Sequence, residues 1–128
     1  RLQAGLRMGL GDVSGSVVPK PVLVSPSEDA ACVVSRYFTP HRCHASHAVT
    51  GAIGVGTAFA LPGTVASGSA RAAGRHLMSV VHPQGKIDLD VMLAGEGMEA
   101  VVEKAALVRT VRKIMQGELY LPEYLFPA

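Results

Sequence analysis

The chain has 128 residues, of which 48% are hydrophobic and 17% charged, and its formal net charge is +2. That is the length of one domain, with enough apolar content to bury a core and too much for a disordered chain. The lysines and arginines are scattered without a basic run, which gives no footprint for nucleic acid, and there is no stretch of about 18 apolar residues to cross a membrane.

The first segment is glycine-rich, with a short helix expected near Leu2–Met8. It opens on Arg1, and its short apolar phrases read like the end of an element, so a fragment or processed chain is expected. "VVPKPVLVSP" predicts a strand over Pro21–Ser25, with Pro19 and Pro21 confining it to an edge. "DAACVVSRYFTP" predicts a second strand over Ala31–Phe38, rich in β-branched and aromatic residues. Ala48, Val49, Ala52, Ile53, Gly56, Phe59 and Ala60 then recur at helical spacing until Pro62-Gly63 ends the run. The apolar face of this helix is made of small residues, which suits close packing on a sheet.

"TVASGSARAAGR" reads as a loop, mobile in principle. Beyond it, Ile87, Leu89, Val91 and Leu93 alternate with Lys86, Asp88, Asp90 and Met92, the period of a strand with one wet face. His82-Pro83-Gln84-Gly85 fits a type I turn, so residues 76–82 and 86–93 should form a hairpin. The tail is ambiguous: Val108, Val111 and Ile114-Met115 stand at helical spacing, yet strands over Lys104–Met115 and Glu118–Leu121 fit as well. The expected class is α+β, mainly antiparallel strands around a central helix.

"PHRCHASHAVTGAI" gathers the chemistry-bearing side chains. His41, Cys43, His44 and His47 are all zinc-ligand types, but they crowd into one short stretch with no second pair downstream, and His76 and His82 lie far off in the hairpin. No metal site is assigned. Cys43 beside two imidazoles suggests a thiolate nucleophile, against which stands an inert buried cysteine; Cys32, in an apolar strand, reads as core. Neither forms a disulfide framework, which points to a reducing cytoplasm. The third possibility is an anion at a helix start. Thr50, or Ser46 one turn earlier, would be the N-cap, and a carboxylate would sit on the amides of Gly51 and Ala52 with His44, Ser46 and His47 around it. An ordinary capped helix with solvated histidines explains the same residues.

The phrases "AGLRMGLGDVSGSVVPKPVLVSP", "HASHAVTGAI", "ALPGTV", "HPQGKIDLDV" and "KAALVRTVRKIMQGELYLP", in this order, resemble the C-terminal part of the PrpF-type isomerases, which act on methylaconitate, methylitaconate, oxalomesaconate and aconitate. The resemblance covers nearly the whole chain. It implies a diaminopimelate-epimerase-like lobe, a curved and mostly antiparallel sheet wrapped around a central helix, here as a single lobe over residues 1–128. The active site would lie between this lobe and an N-terminal lobe absent from the sequence, where two helix starts face each other. It also implies cofactor-free and metal-free proton transfer, either cis–trans or a 1,3-shift of a double bond, in an unsaturated di- or tricarboxylic acid. The family's catalytic lysine and cysteine belong to the missing lobe, so no catalytic residue is assigned here and the chain alone should be inactive.

What carries over is the substrate-facing helix start, His44, Ser46, His47, Thr50, Gly51 and Ala52. Gly54 and Gly56 depart from the family's pattern, which bears on substrate shape. Asp88 and Asp90 read as a solvated strand face with nothing to complement them; Arg109 and Arg112 could contact a carboxylate bidentately but read first as surface or lobe-joining residues. The expected partners are the acid, the N-terminal lobe and a second copy in a homodimer. The alternative is a non-catalytic binding or interaction domain of the same fold.

Overall fold

The alternating stretch becomes the middle of the sheet. In the computed structural model, which describes residues 1–68 and 71–122, the elements are α1 (Leu2–Arg7), β1 (Val22–Pro26), β2 (Cys32–Tyr37), α2 (Val49–Ala60), β3 (Gly74–His82), β4 (Gly85–Ala94), a 3-10 turn (Gly97–Glu99) and β5 (Val101–Leu107). β3 and β4 pair antiparallel, with His82 opposite Gly85 across a connection made of Pro83 and Gln84. Gly85 takes a φ of 144°, a conformation that disfavours side chains. Ile87, Leu89, Val91 and Leu93 are all buried, so the period-2 pattern marks the core face.

The sheet has five strands in sequence order. β1–β2, β3–β4 and β4–β5 are antiparallel, as expected, but β2 and β3 are parallel. The sheet is therefore mixed. The reason is the connection: β2 reaches β3 through α2, and a crossover helix returns the chain to the same end before β3 begins. Hence α2 starts at the carboxyl end of β2 and lies over the face that carries Val33, Met78, Val80, Ile87 and Leu89. Ala52, Val55, Gly56, Phe59 and Ala60 are its buried residues. A methyl group on Gly56 would overlap the Leu89 side chain, so the helix is seated close on the sheet because this position has no Cβ.

The opposite face of β4 is not bare. Asp88 accepts a hydrogen bond from the Ser79 hydroxyl at 2.6 Å and lies 3.4 Å from the Lys86 ammonium. Asp90 accepts from Arg75 at 2.8 Å and lies 3.8 Å from Lys104. Lys86 is a same-strand neighbour of Asp88, but Ser79, Arg75 and Lys104 come from the adjacent strands, which sequence spacing along one strand does not reveal. The Ser79 hydroxyl holds the Asp88 carboxyl below its ordinary value, and the Arg75 guanidinium does the same for Asp90.

Of the two tail expectations, the strand one holds only over Lys104–Leu107, within β5, and the helical one is corrected. β5 ends at Leu107, and residues 108–122 form neither helix nor strand. Val111, Ile114, Met115, Leu119 and Tyr120 are each four-fifths exposed or more. Arg109 and Arg112 are exposed on this tail, without an ion pair among the described residues. The glycine-serine loop is described only in part, because residues 69–70 lie outside the described residues. No described helix is long and apolar enough to cross a membrane.

Candidate functional site at the start of the central helix

β2 alternates, so Val33, Ser35 and Tyr37 all face the helix layer and are buried. After Phe38 the chain doubles back. Thr39 N–H donates to the Arg42 carbonyl at 2.9 Å, and His44 N–H donates to the Tyr37 carbonyl at 2.7 Å. This fold-back sets His44 beside the Tyr37 ring, with centroids 6.5 Å apart, and His47 nearer still at 4.7 Å.

His47 is 6% exposed and fully engaged. Nδ1 lies 3.0 Å from the Ala48 carbonyl and Nε2 lies 2.9 Å from the Ser35 hydroxyl. A carbonyl only accepts, so Nδ1 carries the proton and donates it, and Nε2 accepts from Ser35. His47 therefore pins the start of the helix to β2. Ala48 occupies the N-cap position with an extended backbone (φ −68°, ψ 137°) and no side-chain cap. This corrects the cap assignment: Thr50 is already inside the helix, and Ser46 turns back so that its N–H donates to His44 Nδ1 at 3.1 Å.

The free donors shift accordingly. Ala52 N–H donates to the Ala48 carbonyl at 2.8 Å, and Ala52 is 0% exposed, so it belongs to the core and offers nothing to a ligand. The amides of Val49, Thr50 and Gly51 precede that first bond and have no intrahelical partner. They make the three-donor end of the helix, reinforced by its dipole. Gly51 packs against the Tyr37 ring so closely that a methyl group there would overlap it. His44, His47 and Gly51 thus gather around Tyr37 with Ser46 on His44, while Thr50 is exposed on the first turn and His47 acts by positioning and not as a free donor.

The sequence reading missed His82. It stands at the carboxyl end of β3 on the helix side, its ring centroid 6.5 Å from that of His47. Ser35 and Tyr37 were missed too, and the signal for Ser35 was a lone hydroxyl in an apolar strand. Lys20, in the "VPKP" phrase, has its ammonium 6.0 Å from the Tyr37 ring centre. It lines a cavity of about 350 Å³ that runs along α2 past Tyr37, Gly51, Gly54 and Ala58. A larger cavity of about 420 Å³ lies toward the other end of α2, beside Phe59, Asp29 and Cys32. Arg71 flanks it, 4.7 Å over the Phe59 ring, but no helix-start residue lines it, whereas Gly51 lines the smaller one, which is the candidate site.

Both cysteines are free. Cys43 is exposed, against the expectation of burial, because it sits on the fold-back turn. Cys32 is half-buried; its thiol donates to Asp29 at 3.3 Å, and burial followed by that neighbouring carboxylate pushes its pKa up. A cysteine so placed is a poor nucleophile. Among the described residues, no three of His, Cys, Asp and Glu converge as metal ligands.

A five-stranded mixed sheet with one helix packed on its face defines an α+β lobe. The chain belongs to the PrpF protein family, whose profile matches residues 1–122. It is 48% identical over 122 residues to YbhH of Escherichia coli strain K12, a match covering 95% of this chain and 34% of that protein. It is 43% identical over 119 residues to a 4-oxalomesaconate tautomerase of Pseudomonas putida, covering 91% of this chain and 32% of the relative. With a 3-methylitaconate isomerase of Eubacterium barkeri it shares 35% identity over 96 residues, 74% of this chain and 24% of the relative. The chain spans about a third of the length of the curated relatives it matches.

Proposed function

We propose that this chain is the C-terminal lobe of a two-lobe isomerase of unsaturated di- or tricarboxylic acids, and that the start of α2 holds one substrate carboxylate. The observation that carries this reading is the set of free amides at Val49, Thr50 and Gly51, next to the Tyr37 ring and in a corner without a carboxylate. The names of the relatives, a tautomerase and an isomerase of unsaturated acids, support the substrate class. The exposed apolar tail supports a missing partner surface, which would be the N-terminal lobe of the same enzyme. The free thiols of Cys32 and Cys43 agree with a reducing cytoplasm.

The chemistry follows from the acid. Removing a proton from carbon next to the unsaturated acid leaves a dienolate-like anion whose charge spreads onto carboxylate oxygen. Returning the proton at another carbon shifts the double bond; returning it at the same carbon after rotation exchanges cis and trans. Donors fixed before the reaction stabilise that charge without reorganising. On this lobe the amides bind and orient, while the acid and base come from the other lobe.

The test is turnover of aconitate, methylitaconate and oxalomesaconate by the full-length protein in deuterated water. Isomerised product carrying deuterium at the carbon that regains the proton is expected. Binding of these acids with no turnover and no exchange would favour the non-catalytic domain, and neither binding nor turnover would overturn the proposal.

A further inference from the structure

β1 is an edge strand whose outer side is open: among the described residues, β2 alone pairs with it. Phe38 N–H donates to the Pro21 carbonyl at 3.0 Å, and antiparallel bonding alternates, so Leu23 and Ser25 are the β1 residues bonded to β2. The N–H groups of Val22 and Val24, and the carbonyls of Val22, Val24 and Pro26, therefore point away from the sheet. Edges that stay in water are guarded by charge, a bulge or proline. Val22–Pro26 carries no charge and pairs with β2 in unbroken register, and Leu23 is 63% exposed. Pro26, at its end, is the one guard.

The space beside this edge is unfilled as well. Among the described residues, α2 packs on β2, β3, β4 and β5 but not on β1. On that side lies the cavity of about 420 Å³, walled by Val24, Pro26, Val33, Phe59, Val65 and Ala66, and Val65 is 99% exposed. Arg71 lies over the Phe59 ring and donates from Nη2 to the Ala30 carbonyl at 3.0 Å. Its Nε–H is buried and has no acceptor among the described residues. A buried donor left unpaired is costly. An open ladder, an unfilled apolar space and an unpaired donor thus surround one cavity.

We propose that an extended segment of the same polypeptide, from outside these 128 residues, adds a strand to β1 and completes the sheet on that side. Its backbone pairs with Val22 and Val24, its apolar side chains fill the cavity, and one of its carbonyls accepts from Arg71 Nε. The curated relatives have about two thirds of their length beyond the stretch this chain matches, so chain is there to supply it. The tail of a second copy is the other free apolar segment. Its exposed Val111, Ile114 and Met115 do not alternate, as a strand with one face in a groove requires, and Pro122 follows directly on Leu119–Leu121. The carboxylate reading concerns the helix start, and the two stand or fall separately.

The experiment is amide hydrogen exchange in the full-length protein without ligand, read residue by residue by NMR and corrected for intrinsic rates. Leu23 and Ser25, bonded to β2, are the internal standard. Val22 and Val24 should exchange within about tenfold of them, as amides of one paired ladder do. Exchange more than about 100-fold faster than the standard would show an open edge and overturn the proposal. The identity of the strand is read from nuclear Overhauser contacts of the Val22 and Val24 amides, in a mixture of ¹⁵N-labelled and ¹³C-labelled protein. Contacts within one molecule, to a segment outside these residues, are expected. Contacts between the two labels would place a second copy on the edge, and contacts confined to these residues of the same molecule would place the chain's own loop or tail there; either overturns the assignment.

Discussion

Val49→Pro in the full-length protein should cut kcat/KM for the unsaturated acid by about 10- to 100-fold and leave the fold intact. Proline removes one amide donor from the three at the helix start. A hydrogen bond to a charged group contributes about 1.5–3 kcal/mol, and each 1.4 kcal/mol is about tenfold. The backbone accepts the change for specific reasons. The first helical position needs no intrahelical N–H, and proline is favoured there. Ala48 already holds φ −68° and ψ 137°, the extended conformation that a residue before proline requires. Val49 is 46% exposed, so losing its side chain costs little packing. Val49→Ala is the control: it keeps the amide and should stay within about twofold of wild type. Equal losses in both variants would assign the effect to the side chain and count against the amide site.

Leu89→Ala should lower unfolding stability by about 2–5 kcal/mol, since Leu89 is 0% exposed at the middle of the sheet. The informative quantity is its coupling to Gly56. In wild type, Gly56→Ala drives a methyl group into the Leu89 side chain, and overpacking costs about 1–3 kcal/mol against a helix-propensity gain of about 1 kcal/mol. With Leu89 truncated the obstruction is gone, and the same Gly56→Ala change should stabilise by up to about 1 kcal/mol. A sign reversal in urea unfolding of the four proteins is expected. The same sign in both backgrounds would mean that the helix does not depend on Gly56 for its seat.

How much of this was legible in the sequence follows from what each pattern encodes. The alternation from Ile87 to Leu93 located β4 because burial on one face leaves a period of two. The small-residue helix was legible for the same reason, since Ala52, Gly56, Phe59 and Ala60 must share one side. The parallel β2–β3 pair was not, because strand direction depends on what lies between the strands. The N-cap was misassigned because Thr50 has the preferred side chain, while His47, bonded to Ser35 of another element, fixes where the helix begins. His82 was invisible at the site because it is close only through the β2–β3 pairing. In the tail, the apolar spacing from Val108 to Leu121 is real, but among the described residues no surface covers it.

The central claim is that the start of α2 holds a substrate carboxylate, and amide resonances report on it residue by residue. Full-length protein labelled with ¹⁵N should be titrated with trans-aconitate while the amides of Val49, Thr50 and Gly51 are followed. Saturable shifts are expected at these three, with smaller ones at Ala52, whose amide is already bonded to Ala48. Shifts confined to the cavity beside Phe59, Asp29 and Cys32, with Val49–Gly51 unmoved, would contradict the account.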